Sequence, residues 1–297
     1  MKKNQLGQSE LFVSEIGLGC MSLGTDERQA AAIIDAALDL GVNFLDTADL
    51  YDNGRNEEIV GKAIAGKRDQ VILATKVGNR RIPGQEGWVW DASKAYIVEA
   101  VKGSLKRLGT DYIDLYQLHG GMIEDNIDET IEAFEQLKQE GVIRAYGISS
   151  IRPNVIREYV SRSSIASVMN QYSIVDRRAE EEVLPLLEQA QVSVIARGPL
   201  ASGALATGRQ PVKGALDYEL EDLASLREQL EQIDQNLTQL AIRYSLSHPA
   251  VAAAIPGART LEQLKQNAAA AAMPPLTSDQ IAFIRAISKA NVYTAHR

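Results

Sequence analysis

The chain has 297 residues, 45% hydrophobic and 24% charged, the balance of an ordinary soluble globular protein. A net charge of −8 argues against nucleic acid or an anionic membrane as partner, while leaving room for one anionic cofactor on a local cluster of Arg and Lys. The single cysteine, Cys20, rules out an intramolecular disulfide. With no signal-peptide order in residues 1–20 and no apolar run long enough to span a bilayer, a cytoplasmic protein is expected.

Residues 3–14 read as a small β-hairpin turning at Gly7-Gln8. A short strand near 15–19 follows, then a helix over 27–40 whose Ala31, Ile34, Ala37 and Leu38 recur at helical spacing, with Gly41 ending it. The alternation continues: strand 43–46, helix 56–65; strand 71–76, helix 93–108; strand 111–118, helix 128–140; strand 143–148, helix 153–161. It closes with strand 166–171, helix 180–190; strand 192–197, helices within 222–247; strand 251–255, helix 260–271.

Eight apolar strands, each followed by helix, predict parallel strands covered by helices. In a chain of this length that fits a closed (β/α)8 TIM barrel, of the α/β class, better than an open doubly wound sheet. No G-x-G-x-x-G turn follows any strand, which weighs against the open dinucleotide-binding fold. Composition shifts nowhere sharply, so residues 1–297 are expected to form one barrel domain, with the hairpin at its N-terminus and extra helices toward its C-terminus. The irregular stretches 78–92, holding Trp88 and Trp90, and 198–221 both follow strands and are expected to overhang the catalytic face.

Residues at the C-terminal ends of barrel strands converge on one mouth. Strand 43–46 ends in Asp46, strand 71–76 in Lys76, and His119 follows strand 111–118, with Tyr51 just beyond the first. A buried lysine and carboxylate stabilise each other's charges, and a neighbouring ammonium favours loss of a phenol's proton. Such a tyrosine can give that proton to a developing alkoxide, while His119 donates a hydrogen bond to a carbonyl. Taken singly, Asp46 reads as an N-cap, Lys76 as a solvent-reaching strand end, His119 as structural and Tyr51 as rim packing. Together, in successive βα units, they read as a site for carbonyl reduction by an external hydride. His119, His248 and His296 have no metal-ligand spacing, so no metal is expected.

The segment Gly41-Val-Asn-Phe-Leu-Asp-Thr-Ala-Asp-Leu-Tyr51 with Gly54-Arg-Asn-Glu-Glu58 resembles a signature of the aldo-keto reductases, as do Leu18-Gly19 and Ala74-Thr-Lys76. So do Leu105-Lys-Arg-Leu-Gly-Thr-Asp-Tyr-Ile-Asp-Leu115 with His119, and Gly141-Val-Ile-Arg-Ala-Tyr-Gly-Ile-Ser149. The resemblance covers essentially the whole chain. It implies a catalytic tetrad of Asp46, Tyr51, Lys76 and His119, and NADPH/NADP+ extended across the barrel mouth.

By the same resemblance, Ser149, Asn170 and Gln171 hold the nicotinamide carboxamide, Asp46 touches the ribose, and Gly19, Cys20 and Met21 line the cofactor. The loop Gly198, Pro199, Leu200, Ser202 and Gly203, with Arg209, wraps the pyrophosphate, since small residues let backbone N–H groups approach phosphates. Gly257, Arg259, Gln263, Gln266 and Asn267 face the adenine nucleotide, and a helix N-terminus beside Arg259 suits a 2′-phosphate, favouring NADPH over NADH. Two positions depart from the family: Arg197 stands where an aromatic ring usually stacks on the nicotinamide, and Gln266 where glutamate is common.

The expected activity is NADPH-dependent reduction of aldehydes and ketones, on a small-molecule carbonyl substrate, by a monomer or weak oligomer. A redox-sensing regulatory subunit is the alternative, because the resemblance extends to potassium-channel β subunits that keep fold and cofactor. A Schiff-base lyase at Lys76 needs a neutral amine, which Asp46 opposes. Substrate choice is expected to rest on Trp88, Trp90, the two long loops and the tail 290–297, whose shortness implies an open pocket.

Overall fold

Strands β1 (Lys3–Gln5) and β2 (Phe12–Ser14) open the chain as the expected antiparallel hairpin. The computed structural model describes residues 1–82 and 84–297. Beyond the hairpin come β3 (Leu18–Gly19), β4 (Phe44–Asp46) and β5 (Ile72–Val77), then a short antiparallel ribbon of β6 (Asn79–Arg80) and β7 (Val89–Trp90). The series ends with β8 (Ile113–Leu118), β9 (Ile143–Ser149), β10 (Ser167–Gln171), β11 (Ser193–Arg197) and β12 (Val251–Ile255). Setting aside the hairpin and the ribbon, the remaining eight strands are parallel neighbours in chain order. The ends of that sheet meet: the amides of Gly17 and Gly19 donate to the carbonyls of Ala254 (2.9 Å) and Pro256 (3.2 Å). The result is the (β/α)8 barrel.

The outer layer comprises α1 (Glu27–Asp39), α2 (Arg55–Ile64), α3 (Lys94–Leu108), α4 (Ile127–Gln139) and α5 (Pro153–Arg162). It continues with α6 (Val183–Gln189), α7 (Leu220–Leu230), α8 (Leu237–Ser245), α9 (Leu261–Ala269) and α10 (Ser278–Ile287). Local chemistry sets most of these ends: Asp26, Ser93 and Thr277 cap α1, α3 and α10 with side-chain oxygens on backbone amides. Helix α6 starts three residues later than expected, because Pro185, lacking an N–H, belongs in a first turn, and residues 178–180 form a separate 3-10 turn.

Period-2 alternation divides the strands' side chains between two cores. Leu45, Leu73, Tyr116 and Leu118 point outward under the helices. Phe44, Ala74, Leu115, Ala145, Met169 and Ile195 point inward and meet Leu6, Leu11 and Val13 of the hairpin, which plugs the barrel floor. One inward step toward the C-terminal end, the apolar layer gives way to Asp46, Lys76 and Gln117. The polar layer therefore sits on top of a packed interior.

Candidate active site

At that upper rim Lys76 is fully buried and Asp46 is 3% exposed. Lys76 Nζ lies 2.7 Å from Asp46 Oδ2, donates to the carbonyl of Thr47 at 2.7 Å and reaches Tyr51 Oη at 3.2 Å. Three short contacts match the three protons of an ammonium. Burial opposes the charge on Lys76, yet Asp46 and Tyr51 outweigh it and hold the ammonium above its ordinary range. Burial likewise pushes the carboxyl of Asp46 up, against the stabilising pull of Lys76 and Gln117.

Tyr51 heads a turn in which Asp52 (φ 47°), Asn53 (φ 61°) and Gly54 (φ 84°) all adopt left-handed backbone. Asp and Asn tolerate that region better than other side-chain-bearing residues. At Gly54 an added Cβ would fall 2.8 Å from Arg107 Cδ, so glycine is required twice over. The His119 ring stands edge-on to Tyr51, centroids 5.8 Å apart. Burial, then the charges of Lys76 and Arg197, push its imidazole down to about 3, so it is neutral. Its Nδ1 is buried without a partner among the described residues.

The segment Gly54-Arg-Asn-Glu-Glu58 acts from beneath this cluster. Asn56, buried, accepts from Thr47 Oγ1 at 2.6 Å and donates to the carbonyl of Cys20 at 2.9 Å, tying β3 to β4. Glu57, also buried, accepts from Thr75 Oγ1 and Arg107 Nε at 2.6 Å each. Gln117 was not singled out in the sequence, yet it is fully buried beside Lys76 and its Nε2 lies 3.4 Å from Asp46 Oδ1. Inward alternation from Leu115 through Gln117 to His119 was the available signal.

A cavity of about 430 Å³ opens above these groups, lined by Tyr51, His119, Trp88, Trp90, Met122 and Arg197 among others. Loop 78–92, expected to be irregular, carries the β6–β7 ribbon, and Trp90 Nε1 donates to Asp125 Oδ1 at 2.8 Å, docking it on the β8–α4 loop. Pro83 of that loop lies outside the described residues. The tail 290–297 does not line the cavity: Tyr293 Oη meets Asn170 Oδ1 at 3.3 Å and the amide of Asn154 donates to the carbonyl of His296 at 2.9 Å, fastening it outside. The expectation that the tail shapes the pocket is thereby corrected.

The remaining singled-out residues divide by exposure. Ser149, Gln171, Arg197, Gly198, Leu200, Ser202, Gly203 and Arg209 are accessible at or beyond the strand ends, with Pro199 buried among them. Asn170 is buried, with Nδ2 on the carbonyl of Ser150 at 2.8 Å. Met21 is 63% exposed and Gly19 partly so, whereas Cys20 is buried. Its thiol is fully buried on the core side, burial pushes its pKa up, and its carbonyl is taken by Asn56, so its side chain lines no open site. Near α9, Arg259 and Gln263 are exposed, Gly257 is exposed, Gln266 is half-buried, and buried Asn267 donates to the Gly257 carbonyl at 3.1 Å. Gln263 accepts from the amide of Arg259 at 2.8 Å. Among the described residues no His/Cys/Asp/Glu group could hold a metal ion, and no helix is long and apolar enough to cross a membrane.

Comparison with known proteins agrees with this geometry. Residues 15–289 match the model of the aldo/keto reductase family. The chain is 58% identical, over the full length of both, to the uncharacterized oxidoreductase YqkF of Bacillus subtilis. It is 34% identical to that organism's aldo-keto reductase YhdN, over 89% of this chain and 87% of the relative. Among solved structures, aldo-keto reductase AKR11C1 from Bacillus halodurans in its holo form superposes with a TM-score of 0.97 at 59% identity, covering 100% of this chain and 99% of that one. The apo form of AKR11C1 gives a TM-score of 0.87 with the same coverage. A barrel whose buried Lys–Asp pair touches a tyrosine at the mouth, joined to matches of this extent, makes the chain an oxidoreductase that belongs to the aldo/keto reductase family.

Proposed function

We propose that this enzyme reduces aldehydes and ketones to alcohols with NADPH, Tyr51 supplying the proton. The observation that carries the reading is the 3.2 Å contact between Tyr51 Oη and an ammonium that Asp46 keeps charged. As Tyr51 gives its proton to the carbonyl oxygen, Lys76 stabilises the phenolate left behind. Neutral His119 keeps one N–H to donate to the same oxygen and fixes the carbonyl's orientation. Asp46 and Gln117 hold Lys76 in place rather than exchange protons with substrate. The same charges speak against a Schiff base at Lys76, which needs the free amine.

The residues present fit a dinucleotide. Ala201 (φ 47°), Ser202 (φ 57°) and Gly203 (φ 94°) form a tight left-handed turn beyond Gly198 (φ 69°), in which the amides of Ala201 and Gly203 donate to the carbonyls of Gly198 and Leu200, and its small residues let a phosphate approach the backbone. A Cβ on Gly203 would fall 2.7 Å from Arg209 Nη1, so the glycine keeps that guanidinium against the loop. Arg209 and Arg259 are exposed and, among the described residues, carry no carboxylate partner, which suits the pyrophosphate and a 2′-phosphate respectively. Ser149 and Gln171, with Asn170 behind them, are the polar groups for the carboxamide. When bound, the nicotinamide supplies the hydride. The closer likeness to a holo than to an apo form supports a cofactor-ready conformation.

Following NADPH oxidation with an aromatic aldehyde tests the reading. Tyr51→Phe should lower turnover roughly 10²–10⁴-fold while cofactor binding, read by NADPH fluorescence, persists. Full turnover in that variant would remove Tyr51 as the acid. Arg259→Ala should weaken NADPH and leave NADH affinity alone.

A further inference from the structure

The cavity above Tyr51 carries two guanidinium groups, Arg152 and Arg197, and, among the described residues, no carboxylate on its walls. That sign runs against a chain of net charge −8. Neither arginine has an acidic partner within 4.0 Å among the described residues, whereas most arginines of the barrel exterior do. Arg152 spends one Nη1 donor on the carbonyl of Gly121, which positions the group and leaves most of its donors unused. Asp125, three residues beyond the cavity's Met122, is committed elsewhere: its two oxygens accept from Trp90 Nε1 at 2.8 Å and from the amide of Met122 at 2.7 Å, while its neighbour Glu124 is exposed and does not line the cavity. Nothing in the pocket wall therefore neutralises the pair. The field also reaches the reacting groups, since the charge of Arg197 acts on both Asp46 and His119.

Two guanidinium groups without acidic partners, Arg152 half-buried and Arg197 exposed, set beside Trp88, Trp90, Met122 and Met169, match one kind of ligand. It has an apolar body and a carboxylate that accepts bidentate hydrogen bonds. We propose that the pocket selects carbonyl compounds bearing a carboxylate, with Arg152 as the specificity-determining residue and Arg197 adding to the field. This rests on the reductase reading above and names its substrate class.

The test compares 4-carboxybenzaldehyde with its methyl ester, the same aldehyde without the charge. The wild-type enzyme should prefer the acid in kcat/KM by about tenfold or more at low salt, with the preference shrinking as salt screens it. Arg152→Met should abolish most of that preference through KM, and Arg152→Lys, which keeps the charge, should restore part of it. A merely structural role for Arg152, holding Gly121, would lower both substrates alike and leave the ratio unmoved. That result, or equal wild-type kcat/KM for acid and ester, overturns the proposal. A second arm needs no turnover: Trp88 and Trp90 are the only tryptophans, so their fluorescence reports binding of benzoate against benzamide. Preferential binding of benzoate, lost in Arg152→Met, upholds the anion site even if neither aldehyde is reduced, in which case the reductase reading alone fails.

Discussion

Lys76 shares its position with nothing that could replace its charge: Asp46, the Thr47 carbonyl and Tyr51 surround Nζ, and no water-facing surface remains. Removing one member of a buried ion pair strands the other in a medium that cannot solvate it. Lys76→Met is therefore expected to cost about 3–5 kcal/mol of stability by urea denaturation, besides abolishing turnover. Adding Asp46→Asn should recover part of that stability and none of the activity; a double variant no more stable than Lys76→Met would refute the stranded-charge account. His119 gives the pH counterpart. Folded, it stays neutral down to about 3; unfolded, it takes up a proton near its ordinary 6.5. Through that window the unfolded state binds more protons, so stability falls as pH falls. His119→Gln should flatten the decline of the urea midpoint between those two values, and a variant as acid-sensitive as the wild type would rule the histidine out as its source. Asp46, Lys76 and His119 were legible in the sequence because each interrupts an apolar strand at its end. Gln117 was not, because a glutamine two residues before a histidine looks like one more polar residue until the barrel interior assigns it a side.

At the scale of elements, α2 is the clamp that keeps three strand ends together, and its two buried polar residues do so by different bonds. Asn56 joins β3 and β4, while Glu57 ties β5 to α3 through Thr75 and Arg107. Glu57→Ala leaves Arg107 without its acid and Thr75 without its acceptor, so a loss of about 3 kcal/mol or more is expected, with kcat falling because β5 carries Lys76. Unchanged kcat in a folded Glu57→Ala variant would show that β5 holds its place without the clamp. The lid obeys a different logic. Each strand of the β6–β7 ribbon has two residues, too few for any alternation to reveal, and its anchor Asp125 is 35 residues from Trp90 in the chain. Contacts of that range leave no local mark, which is also why the tail's attachment through Tyr293 could not be read from composition. Asp125→Ala should free the ribbon, raising amide exchange across residues 79–90 and raising KM more than it lowers kcat.

Over the whole molecule, the barrel separates its stability from its chemistry by placing them at opposite ends. The floor is closed by the hairpin, whose Leu6 and Val13 are fully buried against the inward layer below the polar rim. Polar bonds lock the plug in register: Asn4 Nδ2 donates to the Ala252 carbonyl at 2.8 Å, and the Gly7 amide to Ser193 Oγ at 2.7 Å. Between this floor and Lys76 lie Ala74 and Leu115, whose packed side chains have no polar atom. Leu6→Ala should consequently cost about 2–5 kcal/mol by leaving a cavity in the floor. Below the melting transition its kcat and KM should match the parent, because Asp46, Lys76 and Gln117 stand one inward step above the strand residues that meet the plug. A Leu6→Ala enzyme whose stability loss is accompanied by a changed KM for substrate or cofactor would mean that the two ends communicate through the strands, and that the packed interior transmits strain instead of isolating the site from it.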